Sequence, residues 1–190
     1  GDSYGFHALE ASSIETEGGN DEVLINILTS KDDEFTAYAL KNSFIKLGAG
    51  NDILDITLKN PSGNLDAYIA GTDSDPVLFD LGYGDDEAQF KSEGYGIKSE
   101  KNRKHKILLG GGNDELLIDS EYSSLVYADL YGGEGNDSIE LISNNLFHYA
   151  IEDSFIYLED GDDQIKLNSS KDSSIDGGTG TDVIVLNDKK

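Results

Sequence analysis

The chain contains no cysteine, which rules out disulfide staples, a thiol nucleophile and zinc-thiolate sites. Basic residues are scarce: 14 Lys and Arg stand against 38 Asp and Glu, a formal net charge of −24. A field of that sign repels phosphate backbones and anionic membrane surfaces, so nucleic acid is excluded as an expected partner. It suits a protein that carries counter-cations. No apolar run approaches the ~20 residues that a membrane span needs. Only two prolines occur, Pro61 and Pro76. The 190 residues are enough for one domain with a core. The chain opens on Gly1 without a signal-type leader, and is expected to be a processed fragment or an excised module. So much charge in an irregular sequence would indicate disorder. The strict placement of the apolar residues indicates the opposite.

What the chain does have is a glycine-aspartate motif that returns seven times. It reads TEGGND (16–21), LGAGND (47–52), LGYGDD (81–86), LGGGND (109–114), GGEGND (132–137), LEDGDD (158–163) and GGTGTD (177–182). Each copy ends on an aspartate: Asp21, Asp52, Asp86, Asp114, Asp137, Asp163 or Asp182. Glycine-rich turns expose backbone carbonyls, and a carboxylate at a fixed offset adds hard anionic oxygen. These are the ligands that Ca²⁺ prefers. The fourth position is glycine in every copy, which calls for a positive φ or a close backbone approach to an ion. An Asn or Asp precedes the final aspartate in six copies, Thr181 being the exception, and Asn tolerates a left-handed turn.

Apolar residues keep register with the aspartates. Two residues after them stand Val23, Leu54, Ala88, Leu116, Ile139, Ile165 and Ile184, and four after them Ile25, Ile56, Phe90, Ile118, Leu141, Leu167 and Leu186. Seven residues before them stand Ile14, Ile45, Phe79, Ile107, Leu130, Ile156 and Ile175. A period of two on each side of the turn is that of a strand with one buried face. Nine residues before the aspartate the side chain is small in five copies, with Val77 and His105 as exceptions, which indicates a second corner. Twelve before it, Leu9, Leu40, Leu125 and Ile151 indicate a return strand. The expected fold is all-β: a parallel β-solenoid of about seven coils over 1–190, with one regular glycine-aspartate edge and one irregular edge. The aspartates lie 31, 34, 28, 23, 26 and 19 residues apart, so surplus residues must leave the scaffold. Loops are expected at 28–36, 59–75, 91–104, 119–124 and 143–148.

Coils stack with strands about 4.8 Å apart. Two carboxylates at that distance repel by about 1 kcal/mol in water and several-fold more inside a protein. Asp85, Asp160 and Asp162 add to the charge of this edge. A Ca²⁺ between adjacent turns would remove the repulsion and give glycine carbonyls a partner. The candidate ligands are the seven aspartates together with Gly19, Gly48, Gly50, Gly82, Gly84, Gly110, Gly112, Gly133, Gly135, Gly161, Gly178 and Gly180. Seven turns allow at most six inter-turn positions. An EF-hand loop is excluded, because no stretch has its D-x-[DN]-x-[DN]-G…E spacing and no helical pattern flanks the motifs.

The motif resembles the RTX (repeats-in-toxin, hemolysin-type) family, whose nonapeptide is G-G-x-G-x-D-x-U-x. GGEGNDSIE (132–140) and GGTGTDVIV (177–185) match it at every fixed position, and the other copies lose one or both leading glycines. The resemblance covers the seven turn regions, about half the chain. It implies a right-handed parallel β-roll with Ca²⁺ held between turns by the aspartates and backbone carbonyls. It also implies type I export by a bacterium and folding where calcium is abundant. Family members run two nonapeptides per coil, whereas here one glycine turn falls in each.

Outside the turns the signals are weaker. KSEKNRKHK (98–106) holds five of the fourteen basic residues and reads either as an anion contact or as a solvated loop that offsets nearby acid. Tyr38, Tyr68, Tyr95, Tyr122, Tyr127 and Tyr149 suit either sugar stacking or cover for a β-core. His7, His105 and His148 have no nucleophile or acid partner in the sequence, so no catalytic site is expected. The expectation is a monomeric, non-enzymatic calcium-binding module, secreted or at the cell surface, serving as a structural or adhesive scaffold. The alternative is an accessory module that binds or processes an extracellular polysaccharide.

Overall fold

The computed structural model describes residues 5–29, 36–60, 67–70 and 76–187. Among them every regular element is a strand, so no helix is long and apolar enough to cross a membrane. The strands form three parallel sheets of seven. The first sheet holds Gly5–Glu10, Thr36–Lys41, Ala67–Ala70, Tyr95–Lys98, Leu125–Val126, Ile151–Glu152 and Ser170–Lys171. The second holds Ser13–Glu15, Phe44–Lys46, Leu78–Asp80, His105–Gly111, Ala128–Glu134, Phe155–Asp160 and Ser174–Asp176. The third holds Glu22–Leu28, Ile53–Lys59, Glu87–Ser92, Glu115–Ser120, Ser138–Ser143, Gln164–Leu167 and Val183–Leu186. Each coil contributes one strand to each sheet, and every pairing joins a coil to the next. This is a parallel β-solenoid.

The register follows the apolar columns. Ile14 pairs with Ile45, Ile45 with Phe79, Phe79 with Ile107, Ile107 with Leu130, Leu130 with Ile156 and Ile156 with Ile175. Val23 to Ile184 and Ile25 to Leu186 pair in the same way along the third sheet. Apart from Ile184 and Leu186, which are exposed on the last coil, these columns build one core, in which the Phe79 and Phe90 rings meet at 4.9 Å. Burying each such Leu, Ile or Phe contributes about 1.5–3 kcal/mol. No coil could do this alone, because each buries its inward face only against its neighbours.

The second corner is tight. Ala11, Asn42, Tyr127, Asp153 and Asp172 all stand ten residues before the motif aspartate and turn the chain with φ of 48–52°. The residue after each corner supplies a column of acceptors. The Ser43, Ser154 and Ser173 hydroxyls accept the N–H of Ser12, Ala128 and Ser154 from the preceding coil. His105 occupies this column in the fourth coil, and its Nδ1 accepts the N–H of Val77 at 2.9 Å. That explains a buried histidine in a position otherwise held by small side chains.

Two expected loops prove to contain strands. The range 59–75 includes Ala67–Ala70, and 91–104 includes Tyr95–Lys98. Ala70 and Ile97 take the return-strand positions of Leu40 and Leu125. The corners that follow them carry extra residues, which displaced these strands from the twelve-residue offset. Residues 30–35, 61–66 and 71–75 of the expected excursions lie outside the described residues.

Close stacking fixes the glycines of the turn. A Cβ on Gly50 would lie 1.9 Å from the carbonyl oxygen of Gly19 in the preceding coil, and φ there is 138°. Gly18 has a neighbour only at 3.5 Å. Gly50→Ala is therefore expected to destabilise the fold by about 3 kcal/mol or more, and Gly18→Ala by about 0.5 kcal/mol or less, in urea denaturation at fixed calcium. Equal effects of the two substitutions would show that the turns are not closely stacked.

Candidate metal centre: a column of buried aspartates

Each motif turn aims its final aspartate into the solenoid. The fourth-position glycines hold φ between 117° (Gly180) and 154° (Gly161), conformations that side chains rarely adopt. The twelve glycines expected at the edge are the twelve described glycines with positive φ. In the two copies with weakened leading glycines, Glu17 and Glu159 take the left-handed conformation instead, with φ of 69° and 73°. Asp52, Asp86, Asp114, Asp137 and Asp163 are 1–3 % exposed, while Asp21 and Asp182 on the end coils are half-buried.

The seven aspartates form one continuous ladder. The backbone N–H of Asp21 donates to Oδ1 of Asp52 at 2.7 Å, and that of Asp52 to Asp86 at 2.8 Å. The steps continue from Asp86 to Asp114 (2.8 Å), Asp114 to Asp137 (2.9 Å), Asp137 to Asp163 (2.7 Å) and Asp163 to Asp182 (3.1 Å). One carboxylate oxygen of each aspartate from Asp52 to Asp182 is thus accounted for. Oδ2 is not: in Asp21, Asp52, Asp86, Asp114, Asp137 and Asp163 it is buried without a hydrogen-bond partner. Leaving one such atom unsatisfied costs about 1–3 kcal/mol, and more when it is charged. Six such atoms stand in a row on adjacent coils.

A second ladder runs outside the first with the opposite polarity. The N–H at the fifth motif position donates back to the preceding coil: Asn51 to Asn20, Asp85 to Asn51, Asn113 to Asp85, Asn136 to Asn113, Asp162 to Asn136 and Thr181 to Asp162. None of these donors has positive φ. Asn and Asp recur at this position because their Oδ1 accepts, and not because the turn there is left-handed. Thr181, in the last coil, has no following described coil to receive.

The residues present fit a hard divalent cation. Carboxylate oxygen beside backbone carbonyls is a Ca²⁺ donor set, with six to eight oxygens the usual number. Among the described residues no three His, Cys, Asp or Glu side chains converge as a cage, so carbonyls must supply most of the ligands. Second-position carbonyls are already engaged, as when Gly48 accepts the Tyr83 N–H at 2.8 Å. Among the described residues the fourth-position carbonyls of Gly50, Gly84 and Gly112 accept no backbone hydrogen bond. In the two copies with a leading glycine, the free oxygen rests against it: a Cβ on Gly132 would lie 2.8 Å from Oδ2 of Asp137, and one on Gly177 2.5 Å from Oδ2 of Asp182. In four other copies that position holds a buried leucine: Leu47, Leu81, Leu109 or Leu158.

Burial pushes the carboxyls upward: Asp86 and Asp137 to about 7 and Asp114 to about 6, with Asp163 moved the same way. Desolvation is the largest cause, neighbouring carboxylates add to it, and the ladder hydrogen bond opposes it.

The other sequence signals resolve as packing. Lys98 lies 3.9 Å from the Tyr95 ring, and Lys104 pairs with Asp129 at 2.6 Å while covering the Phe155 ring at 4.0 Å. Three of the five basic residues of this segment, Lys98, Lys104 and Lys106, are thus set against rings or acids of the chain itself. Tyr38, Tyr68 and Tyr95 stack in sequence at 5.4 and 5.2 Å, with Tyr122 and His148 continuing the cluster. The His7 side chain lies outside the described residues. Comparison of the chain with family models, with curated proteins and with solved structures gives no match.

The raised carboxyl values define a pH test. Because each folded value lies above the ordinary ~3.9, the cation-free fold is most stable below that pH and loses stability as pH rises through 6–7. In chelator, the midpoint of thermal unfolding should fall by about 5 °C or more between pH 5.5 and 8. In millimolar calcium the fall should vanish or reverse, because the cation holds the carboxylates ionised. Parallel curves with and without calcium would remove the column as a cation site.

Proposed function

We propose that the chain is a calcium-binding solenoid module of a secreted or cell-surface protein, with a structural or adhesive and non-enzymatic role. The observation that carries this reading is the row of six buried, unpartnered aspartate oxygens beside positive-φ glycine turns. The resemblance of the motif to the RTX nonapeptide supports it, as does the net charge of −24. The residues that would hold the ions are the motif aspartates and the neighbouring turn carbonyls. A bound Ca²⁺ supplies the positive charge and coordination that the second oxygens lack. The ladder holds each Oδ1 in place, so that Oδ2 is already aimed when an ion arrives. Because adjacent aspartates share the column, occupancy couples one coil to the next, and binding free energy becomes folding free energy.

The decisive experiment is a calcium titration of chelator-stripped protein followed by far-UV circular dichroism, with magnesium as control. A cooperative gain of β-signal or of thermal stability with calcium, and little with magnesium, is expected. Asp114→Asn keeps the ladder acceptor but removes the charge at the centre of the column. It should raise the calcium midpoint by about tenfold and flatten the cooperativity. A protein whose fold and stability ignore calcium would overturn the proposal, leaving the turns as simple corners.

A further inference from the structure

Beside the motif turns of the third to sixth coils, the second sheet carries a notch of about 740 Å³. Gly82, Gly110 and Gly133 give it a floor of backbone, and the fourth coil presents Gly111 where its neighbours present side chains. In the register, Gly111 stands between Tyr83 of the third coil and Glu134 of the fifth. The Tyr83 ring, 72 % exposed, leans over the gap: a Cβ on Gly111 would meet its Cδ1 at 3.1 Å. On the far side stands Tyr131, whose ring is held by stacking on Tyr157 at 5.2 Å. Two tyrosine rings therefore border a floor of backbone.

Four carboxylates surround that floor: Asp80 on one side, and Glu134, Glu159 and Asp160 on the other. Among the described residues none of the four has an ion-pair partner. Two lysines are close by: Lys46 is turned away, while the Lys106 ammonium stands at the margin of the notch, by the Tyr131 ring. Lys46, which pairs with Asp80 in the register, directs its ammonium to the Phe44 ring at 5.5 Å. Lys106 lies 5.8 Å from the Tyr131 ring centre. Asp160 accepts a hydrogen bond from Thr179 at 2.8 Å, which leaves its charge uncompensated.

We propose that this notch binds an organic cation: a guanidinium or ammonium group, with its apolar skeleton laid against Tyr83 and Tyr131 and its N–H groups directed to the four carboxylates. Aromatic faces attract such cations by about 0.5–2 kcal/mol, more as water is excluded. Carboxylates in a concave site add charge-assisted hydrogen bonds, and the negative field of the whole chain steers cations inward. A compact, strongly hydrated metal ion gains nothing from the rings. An acidic sugar is repelled by the four carboxylates. The notch shares Gly82, Gly110, Gly132 and Gly133 with the turns that hold the aspartate column, so it is tested with calcium saturating.

The cation has two plausible sources, an arginine-type side chain of a basic peptide or an amino sugar. Titration of the ¹⁵N-labelled chain in saturating calcium with N-acetylarginine amide, glucosamine and glucose separates them by amide chemical shift. Saturable shifts confined to Tyr83, Gly110, Gly111 and Tyr131, with a Kd of about millimolar, are expected for at least one cation. The tighter of the two identifies the source. Tyr131→Leu and Glu134→Gln should each weaken binding by about tenfold with the remaining amide spectrum unchanged. Glu134 is exposed, so Glu134→Gln serves if Tyr131→Leu disturbs the fold. No shifts from either cation, shifts from glucose equal to those from glucosamine, or no effect of Glu134→Gln would each overturn the proposal. Because calcium is saturating throughout, failure here leaves the calcium titration unaffected, and a calcium-indifferent fold leaves the notch to be tested unchanged.

Discussion

A carboxylate has two oxygens, and in this solenoid the fold provides for one of them. From the second coil onward, Oδ1 of the motif aspartate accepts the backbone N–H of the aspartate in the coil before it, which fixes both side chain and register. Oδ2 is left in a dry column, one strand spacing from the next such atom. An isolated coil would keep the carboxylate in water. Stacking buries it, so the packing that forms the core also creates the unmet demand for positive charge. Core and carboxylate column are one arrangement seen from two sides of the turn.

The balance of terms explains the character of the fold. Inward columns of Leu, Ile and Phe along three sheets supply a large, continuous apolar gain. Buried like charges at about 5 Å oppose it, more strongly as water is excluded. Burial pushes the carboxyls of Asp86 and Asp137 up to about 7 and that of Asp114 to about 6. The ordinary aspartate range is several units lower, and the difference is the price of burial. A divalent ion held there, as proposed, would meet that demand with a charge that does not depend on pH.

Much of this was legible in the sequence because the repeat is locked to one residue. Measured from the motif aspartate, the offsets of +2, +4 and −7 named inward columns that pair along the sheets, such as Leu116 with Ile139 and Ile107 with Leu130. The glycines with positive φ were legible for the same reason. The strands Ala67–Ala70 and Tyr95–Lys98 were not, because extra corner residues moved Ala70 and Ile97 away from the fixed offset. The acceptor ladder of Asn51, Asp85, Asn113 and Asn136 was also hidden. Its residue types were visible, but a tolerance for left-handed turns accounted for them equally well until hydrogen bonds were seen. The notch needed three coils in register before Tyr83, Gly111 and Glu134 became neighbours.

The shortest interval between motif aspartates is the 19 residues from Asp163 to Asp182, and it still provides a strand to each of the three sheets. Nineteen residues are therefore a complete structural unit. The longer intervals, up to 34 residues between Asp52 and Asp86, hold additional chain that the wall does not require. The two edges are thus under different rules of inheritance. On the glycine edge a single added methyl group collides with backbone. On the opposite edge whole segments can lengthen or be exchanged at a loop-closure cost that grows only slowly with length. Such a chain can vary what it displays, coil by coil, while the scaffold that carries the display stays constant.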